Sequence, residues 1–191
     1  MSATFAPNPA FRRAFEASAL ATVEAGAEAF AGYVKRSFSQ GRGPSRPGTP
    51  PAVGSGRLRR SVRETESFRQ GSGVANRVIS DTPYSRIHEY GGVINARDRS
   101  LTIPVSDRAR ALRASTDDLT TLNLTWRPSR APGTNGLLFE GDELMFVLKD
   151  SVTIPERSFF RTAVRSKSAG RDVIRAMGAD MRSRFGGRRA G

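Results

Sequence analysis

The first forty residues carry one long helical repeat of apolar side chains, and this repeat constrains the fold more than any other feature. Asn8 and Pro9 form a helix start, because asparagine caps the first turn and proline needs no partner for its missing N–H there. Apolar residues follow at helical spacing: Phe11, Phe15, Val23, Ala27, Phe30, Val34 and Phe38. A helix over residues 9–39 therefore needs another element against which to bury this face.

The chain changes character between residues 40 and 56, where glycine, proline and serine dominate. Only Ala52 and Val53 are apolar there, so the segment is predicted to be an extended, flexible arm. Ser55 then stands where it can cap a short helix that turns Leu58 and Val62 inward.

Residues 57–155 have the pattern of a mainly β core. The strand candidates are 64–68, 74–80, 93–94, 101–104, 122–126, 136–139, 143–148 and 152–155. Gln70–Gly73 and Gly141–Asp142 are expected to be hairpin turns. Residues 83–90 and 106–114 favour short helices, and Gly91 and Gly92 end the first of them.

The C-terminal part is predicted to be helical over residues 156–185, with a disordered tail at 186–191. Its apolar face comprises Phe160, Val164, Ile174, Met177, Met181 and Phe185. The sequence therefore predicts a single α+β domain over residues 1–191. A mainly antiparallel sheet packs against long N- and C-terminal helices, with the Pro/Gly-rich arm and an inserted β-hairpin region at 119–148.

The chain carries a formal net charge of +13, almost all of it from arginine. Such an excess attracts polyanions: nucleic acid, acidic protein surfaces or anionic lipid. Neither helix–turn–helix spacing nor a zinc knuckle is present, and Trp126 is interpreted as a core residue. Any DNA contact is therefore expected to be transient and independent of base sequence.

The sequence offers no catalytic, cofactor or metal site. There is no cysteine, which excludes disulfides and thiolate ligands, and His88 is the only histidine. His88 precedes Glu89, but a zinc-protease motif needs a second histidine, and one imidazole cannot assemble a triad. We therefore expect a protein that is not an enzyme, with His88 serving packing and hydrogen bonding.

No segment has the pattern of a signal peptide or a membrane span. Residues 1–13 lack an apolar run, and the longest purely apolar stretch is Leu144–Leu148. The expectation is a soluble protein made in a cytoplasm, with no membrane partner.

Charge of opposite sign is concentrated in different parts of the chain. Arginines cluster over residues 42–63 and after 157, whereas acidic residues lie in the central region. The candidate subunit-interface residues are Arg57, Arg59, Arg60, Glu140, Asp142 and Glu143. Contact between the acidic hairpin of one copy and a basic surface of the next would be heterologous, as rings require. The alternative is that these are solvated loop charges.

Three sequence blocks carry a family resemblance. The first is a proline-rich run at Pro47–Pro51 followed by Gly56–Val62, and the second is Pro83–Gly92, with its tyrosine, His88, Glu89 and glycines. The third is Ile154–Arg161, in which Ser158 replaces a common second proline. In this order they resemble the tail-completion or neck proteins of tailed bacteriophages, of the minor tail protein Z type. The likeness is weakest over residues 95–148.

This resemblance implies a structural virion protein with an α+β fold. It implies a homo-oligomeric ring, hexameric in this family, at the head-proximal end of the tail, joining the tail to the head. The partners it implies are a tail-terminator protein and a head-side connector or stopper protein, with assembly in the host cytoplasm. The alternative is a basic, sequence-nonspecific nucleic-acid-binding accessory protein.

Overall fold

A computed structural model describes residues 8–38, 45–115 and 122–185 of the chain. The helices are α1 (Pro9–Ser37), α2 (Arg57–Ser61), α3 (Ser85–Tyr90), α4 (Asp107–Ser115), α5 (Phe160–Arg165) and α6 (Lys167–Phe185). The strands are β1 (Val62–Glu64), β2 (Phe68–Gln70), β3 (Gly73–Ala75), β4 (Val78–Ser80), β5 (Gly92–Asn95), β6 (Leu101–Pro104), β7 (Thr125–Arg127), β8 (Gly136–Glu140), β9 (Glu143–Lys149) and β10 (Ser151–Ile154).

The α+β class is confirmed, with long helices at both ends and antiparallel strands between them. The chain divides into two compact units: Met1–Glu89 together with Arg157–Gly191, and Tyr90–Glu156. Among the described residues the strands form three two-stranded ribbons and one four-stranded sheet, where the sequence suggested a single sheet. Residues 40–44 of the predicted arm, 119–121 of the inserted region and the tail at 186–191 lie outside the described residues.

The predicted N-terminal helix is confirmed as α1, and its start follows the expected chemistry. Asn8 is the N-cap, its Oδ1 accepting a hydrogen bond from the Ala10 N–H at 2.8 Å, and Pro9 occupies the first helical position. The helix ends where Phe38 adopts extended backbone. Its last two turns bury Ala31 and Val34 in the core of the first unit.

The predicted C-terminal helix over 156–185 is wrong in its start and its continuity. Residues 156–159 are not helical, and Ser166 has extended backbone (φ −80°, ψ 119°) that separates α5 from α6. Ser166 serves both helices, because its N–H donates to the Ala163 carbonyl and its Oγ accepts weakly from the Ala169 N–H. Serine competes for backbone hydrogen bonds in this way, which periodicity of apolar residues does not reveal.

Helices α1 and α6 pack in opposite directions along most of their length. Thr22 Oγ1 donates to Asp180 Oδ2 at 2.8 Å, and Arg36 pairs with Asp172 at 2.9 Å. Between these contacts Gly26 faces Met177: a Cβ added to Gly26 would lie 2.9 Å from Met177 Cγ. The missing side chain therefore allows the two helices to approach closely.

The core of the first unit joins α1 to α2, β1 and α5. Its buried members are Ala31, Val34, Phe38, Leu58, Val62, Phe159 and Ala163. Val53 packs against this cluster and Pro51 is buried, so this part of the predicted arm lies against the unit, whereas residues 46–49 are exposed. Gly56, with φ +74°, is the N-cap of α2 in place of the predicted Ser55.

The predicted hairpin around Gln70–Gly73 is confirmed, but each of its arms is divided in two. β1 pairs with β4 and β2 pairs with β3, and the ladder is interrupted between them. Asn76 Nδ2 donates to the Thr65 carbonyl at 2.7 Å and to Ser67 Oγ at 3.0 Å. A side-chain amide thus replaces part of the ladder at this break.

The second unit contains the four-stranded sheet, in the order β6-β9-β8-β7, and the β10-β5 ribbon. The hairpin of β8 and β9 with its turn at Gly141 is confirmed, and Met145 and Phe146 on β9 are fully buried with Ala109 of α4. The strand predicted at 122–126 begins only at Thr125, and Trp126 is 55% exposed, not a core residue. Leu122 and Leu124, which precede it, supply the apolar contacts that the alternation predicts.

No helix among the described residues combines the length and the apolar character needed to cross a bilayer.

Replacing two glycines of α1 by alanine should have opposite effects on stability. Gly32→Ala should stabilise the protein by about 0.5–1 kcal/mol, because alanine favours the helix and only the end of Arg36 must move. Gly26→Ala should be about 1–2 kcal/mol less stable than Gly32→Ala, because its Cβ is forced against Met177. Urea unfolding of both variants measures this, and equal stabilities would contradict the close helix contact.

Candidate assembly surface

Glu89, in the last turn of α3, accepts four hydrogen bonds from described residues. It is only 4% exposed. Its Oε2 accepts from the backbone N–H groups of Phe159 and Phe160 at 2.8 and 3.0 Å. Its Oε1 accepts from the Arg161 N–H at 2.9 Å and from Arg161 Nε at 3.2 Å. One buried carboxylate therefore satisfies three backbone donors and a guanidinium.

These donors are the first turn of α5, which has no cap from its own side chains. The N-cap residue Phe159 offers no polar atom, so the open N–H groups need an acceptor from elsewhere in the fold. Glu89 supplies it, and its negative charge also suits the positive end of the helix. Arg161 Nη2 closes the contact by donating to the Glu89 carbonyl at 2.6 Å. We name Glu89 the capping carboxylate.

The capping carboxylate connects two of the sequence blocks that carry the family resemblance. Glu89 belongs to Pro83–Gly92, and its donors belong to or adjoin Ile154–Arg161. A further backbone bond, from the Arg157 N–H to the His88 carbonyl at 2.8 Å, joins the same blocks. The sequence assigned no role to Glu89, because its partners lie about seventy residues away along the chain.

Backbone conformation, separately from the capping contact, explains why glycine follows Tyr90. Gly91 has φ +70°, a left-handed conformation that other residues adopt at a cost. A Cβ at this position would also lie 2.8 Å from the Glu156 backbone nitrogen. Any side chain here would collide with the backbone at the end of β10.

His88 lies in an apolar setting within the first unit. Its ring meets Tyr84 edge-on at 5.9 Å between centroids, and its Nδ1 is buried without a hydrogen bond in the part of the chain described. Burial, and next the positive charge of Arg157, lower the pKa of His88 from 6.5. The imidazole is therefore neutral near pH 7, and it adds no positive charge to its surroundings.

Two neighbouring cavities share the loop Val53–Gly56. The smaller, of about 280 Å³, is lined by side chains that include Phe38, Leu58, Tyr84 and His88, with Arg57 and Arg59 also on its wall. The larger, of about 470 Å³, is lined by the loop and by three cations, Lys35, Arg59 and Arg60. We name this larger cavity, with its three cations, the basic cleft.

The cations of the basic cleft have no acidic partner. None of Lys35, Arg59 and Arg60 forms an ion pair with any described residue. Arg57 and Arg60 are exposed and Arg59 is half-buried. Three like charges around one concave surface raise the local potential and favour an anionic group from another molecule.

The three predicted acidic residues lie at the turn between β8 and β9, in the second unit. Arg108 of α4 places its Nη1 2.8 Å from Glu140 Oε2 and 3.7 Å from Glu143 Oε2. Asp142, at the turn itself, is exposed and has no ion pair among the described residues. We name Glu140, Asp142 and Glu143 the acidic tip, of which Asp142 alone forms no ion pair with a described residue.

The structure thus brings the six predicted interface residues into two groups. Arg57, Arg59 and Arg60 line cavities of the first unit, and the acidic tip lies in the second. Lys35 joins the basic group from α1, twenty-four residues before Arg59 in sequence, and sequence analysis missed it. Only its position on the inward side of a long helix could have suggested this.

Metal chemistry has no candidate site in the residues described: no group of three or more His, Cys, Asp or Glu side chains is placed to hold an ion. No protein-family model, curated protein or solved structure matches the chain.

Removing the charge of the capping carboxylate should destabilise the first unit. Glu89→Gln should lower the free energy of unfolding by about 2–3 kcal/mol, because an amide offers one acceptor oxygen where two serve four donors. Glu66→Gln, at an exposed site without an ion pair, is the matched control and should change stability by less than about 0.5 kcal/mol. Equal unfolding curves for the two variants would contradict the capping role.

The pH dependence of stability should contain a contribution from His88. Its pKa is lowered from 6.5 in the folded chain, so the unfolded chain binds more protons between the lowered pKa and 6.5. Stability from this residue is therefore complete above 6.5 and is lost as the pH falls through that interval. Urea unfolding over a pH series measures it. His88→Gln should remove this part of the pH dependence and keep the loss of stability that protonated carboxylates cause at lower pH. If the plots of unfolding free energy against pH for the wild type and the variant are parallel, the prediction is contradicted.

Proposed function

We propose that this chain is a structural virion protein of a tailed phage or a phage-like particle. In this proposal it forms a ring at the head-proximal end of the tail and joins the tail to the head connector. The ring is hexameric and contacts a tail-terminator protein and a head-side connector or stopper protein. Assembly takes place in the host cytoplasm, and the protein has no catalytic role.

The observation that carries the proposal is the set of hydrogen bonds around Glu89. Two of the three blocks that resemble the neck proteins are separated by more than sixty residues, yet they meet at one buried carboxylate. This supports interpreting the blocks as one structural signature, because their residues depend on each other physically. The same residues offer no obvious chemistry for catalysis, since Glu89 is occupied by backbone donors.

The ring contact that we propose joins the basic cleft of one copy to the acidic tip of the next. The cleft holds cations that form no ion pair with a described residue, and Asp142 is an exposed anion of which the same is true. Each exposed pair contributes only about 0–1 kcal/mol, so the charges set register and partner choice while other surface supplies most of the affinity. The contact is heterologous and can close into a ring.

A charge-exchange experiment tests this contact. Arg59→Glu/Arg60→Glu and Asp142→Arg should each reduce the oligomer seen by native mass spectrometry at low salt, because each places like charges together. Combining all three substitutions in one chain should restore assembly, since the charges are then exchanged. Arg13→Glu/Arg130→Glu, at exposed arginines without ion pairs, is the matched control.

The outcome of that experiment also bears on the wider proposal. Assembly that is unchanged by all variants would reject the cleft-to-tip contact. A chain that stays monomeric with every neck component would reject the neck function itself. Particles made without the protein should accumulate as separate full heads and tails in electron micrographs.

A second candidate function is sequence-nonspecific nucleic-acid binding, which the cations of the basic cleft favour because no residue in the described part of the chain neutralises them. The net charge of +13 would strengthen such binding at low salt. Gel shifts that disappear at moderate salt and are weakened by Arg59→Glu/Arg60→Glu, but are not weakened by Asp142→Arg, would favour this function. Loss of the oligomer in both Arg59→Glu/Arg60→Glu and Asp142→Arg would favour the ring contact.

A further inference from the structure

The β5-β10 ribbon of the second unit has an exposed apolar edge. β5 pairs only with β10 among the described residues, and all four of its residues are exposed. Val93 is 56% exposed and Ile94 is 40% exposed. The strand contains no proline, lysine or other charge, which are the residues that usually protect a free edge from pairing.

The hydrogen-bond pattern shows which backbone groups face that edge. The Ala96 N–H donates to the Asp150 carbonyl at 2.6 Å, and the register continues to Ile94 opposite Val152 and Gly92 opposite Ile154. In an antiparallel ladder, bonded and non-bonded pairs alternate. The N–H and C=O groups of Val93 and Asn95 therefore point away from β10, toward the free edge.

We infer that β5 pairs with β5 of a second copy of this chain, antiparallel and about a two-fold axis at Ile94. In this register Val93 of each copy lies opposite Asn95 of the other. The outward N–H and C=O groups of both residues then make four intermolecular backbone hydrogen bonds. The result is a four-stranded sheet in the order β10-β5-β5-β10.

Side-chain chemistry favours this occupant over others. Ile94 and Val152 lie opposite each other and share one face of the ribbon. The two-fold axis extends them into an unbroken apolar row across four strands: Val152, Ile94, Ile94 and Val152. Cross-strand pairs of β-branched residues stabilise sheets. The outer edge of β10 exposes Ser151 and Thr153 instead, which makes it a poorer match for Val93 and Ile94.

This contact is independent of the proposed neck function. It is isologous and uses β5, whereas the proposed ring contact is heterologous and uses the basic cleft and the acidic tip. The loss of one does not require the loss of the other. Variants at Arg59, Arg60 and Asp142 should therefore leave β5 pairing unchanged.

Because the chain has no cysteine, single cysteines can map the contact without background. At the two-fold axis the Ile94 pair is non-hydrogen-bonded, with Cα atoms about 4.5 Å apart, a separation that a disulfide can bridge. Under mild oxidation of the full chain, Ile94→Cys should form covalent dimers. Val152→Cys is the matched control: Val152 lies opposite Ile94 in the row of the two-fold axis, so its two copies would be about 14 Å apart, three strand spacings, and should not cross-link.

An equimolar mixture of the two cysteine variants distinguishes the occupants. Mixed dimers of Ile94→Cys with Val152→Cys as the main product would assign β10 as the partner strand and overturn the inference, because Ile94 lies opposite Val152 when the outward groups of β5 and β10 pair antiparallel. Equal cross-linking by Ile94→Cys and Val152→Cys would show random collision and overturn it as well. The inference would also be overturned if the Ile94→Cys variant does not cross-link although circular dichroism shows that it is folded.

A backbone substitution gives a second, non-covalent readout. Val93→Pro removes an outward N–H and leaves the bonds between β5 and β10 in place, since the register turns the Val93 N–H away from β10 and it bonds to no other described residue. Two intermolecular hydrogen bonds are lost per dimer, so the dimer dissociation constant in analytical ultracentrifugation should rise roughly tenfold to a hundredfold. Thr153→Pro, also at an outward N–H, is the control. An unchanged constant for a folded Val93→Pro would overturn the inference.

Discussion

The first unit depends on one buried carboxylate. Glu89 lies in the last turn of α3 and caps the first turn of α5, although more than sixty residues separate the two helices in the chain. A short helix such as α5 gains little from its own hydrogen bonds, so an acceptor fixed by the rest of the fold determines where it starts. Phe159 packs in the core against Phe38, and the centroids of the two rings are 5.3 Å apart. Polar capping and apolar packing thus act at the same place.

The two units present surfaces of different kinds. The first presents cations that no described residue neutralises, and the second presents an exposed acid and a bare strand edge. Neither surface adds to the small buried cores of its unit. Because few side chains are buried in these cores, many remain on the surface, where they can contact other subunits. This is the physical basis on which we favour a structural role over a catalytic one.

The sequence predicted the elements that local chemistry determines and missed those that depend on distant partners. Asn8 and Pro9 define the start of α1 by themselves, and alternation with a glycine turn defines the β8-β9 hairpin. The start of α5 could not be predicted, because Glu89 determines it. The exposure of Trp126 was missed because alternation alone does not say whether a second layer covers that face. The candidate cations were predicted by charge density, while Lys35 joined them only through folding.

The neutral state of His88 has a consequence for how the basic cleft responds to its environment. With the only imidazole of the chain uncharged near neutrality, the field of this surface comes from guanidinium and ammonium groups, and arginine keeps its proton at any physiological acidity. Modest acidification therefore leaves the attraction to an anion almost unaltered. Added salt weakens this attraction, because at physiological ionic strength it screens exposed charges that lie more than about 8–10 Å apart. Ionic strength, and not acidity, is the variable that would govern docking at this surface.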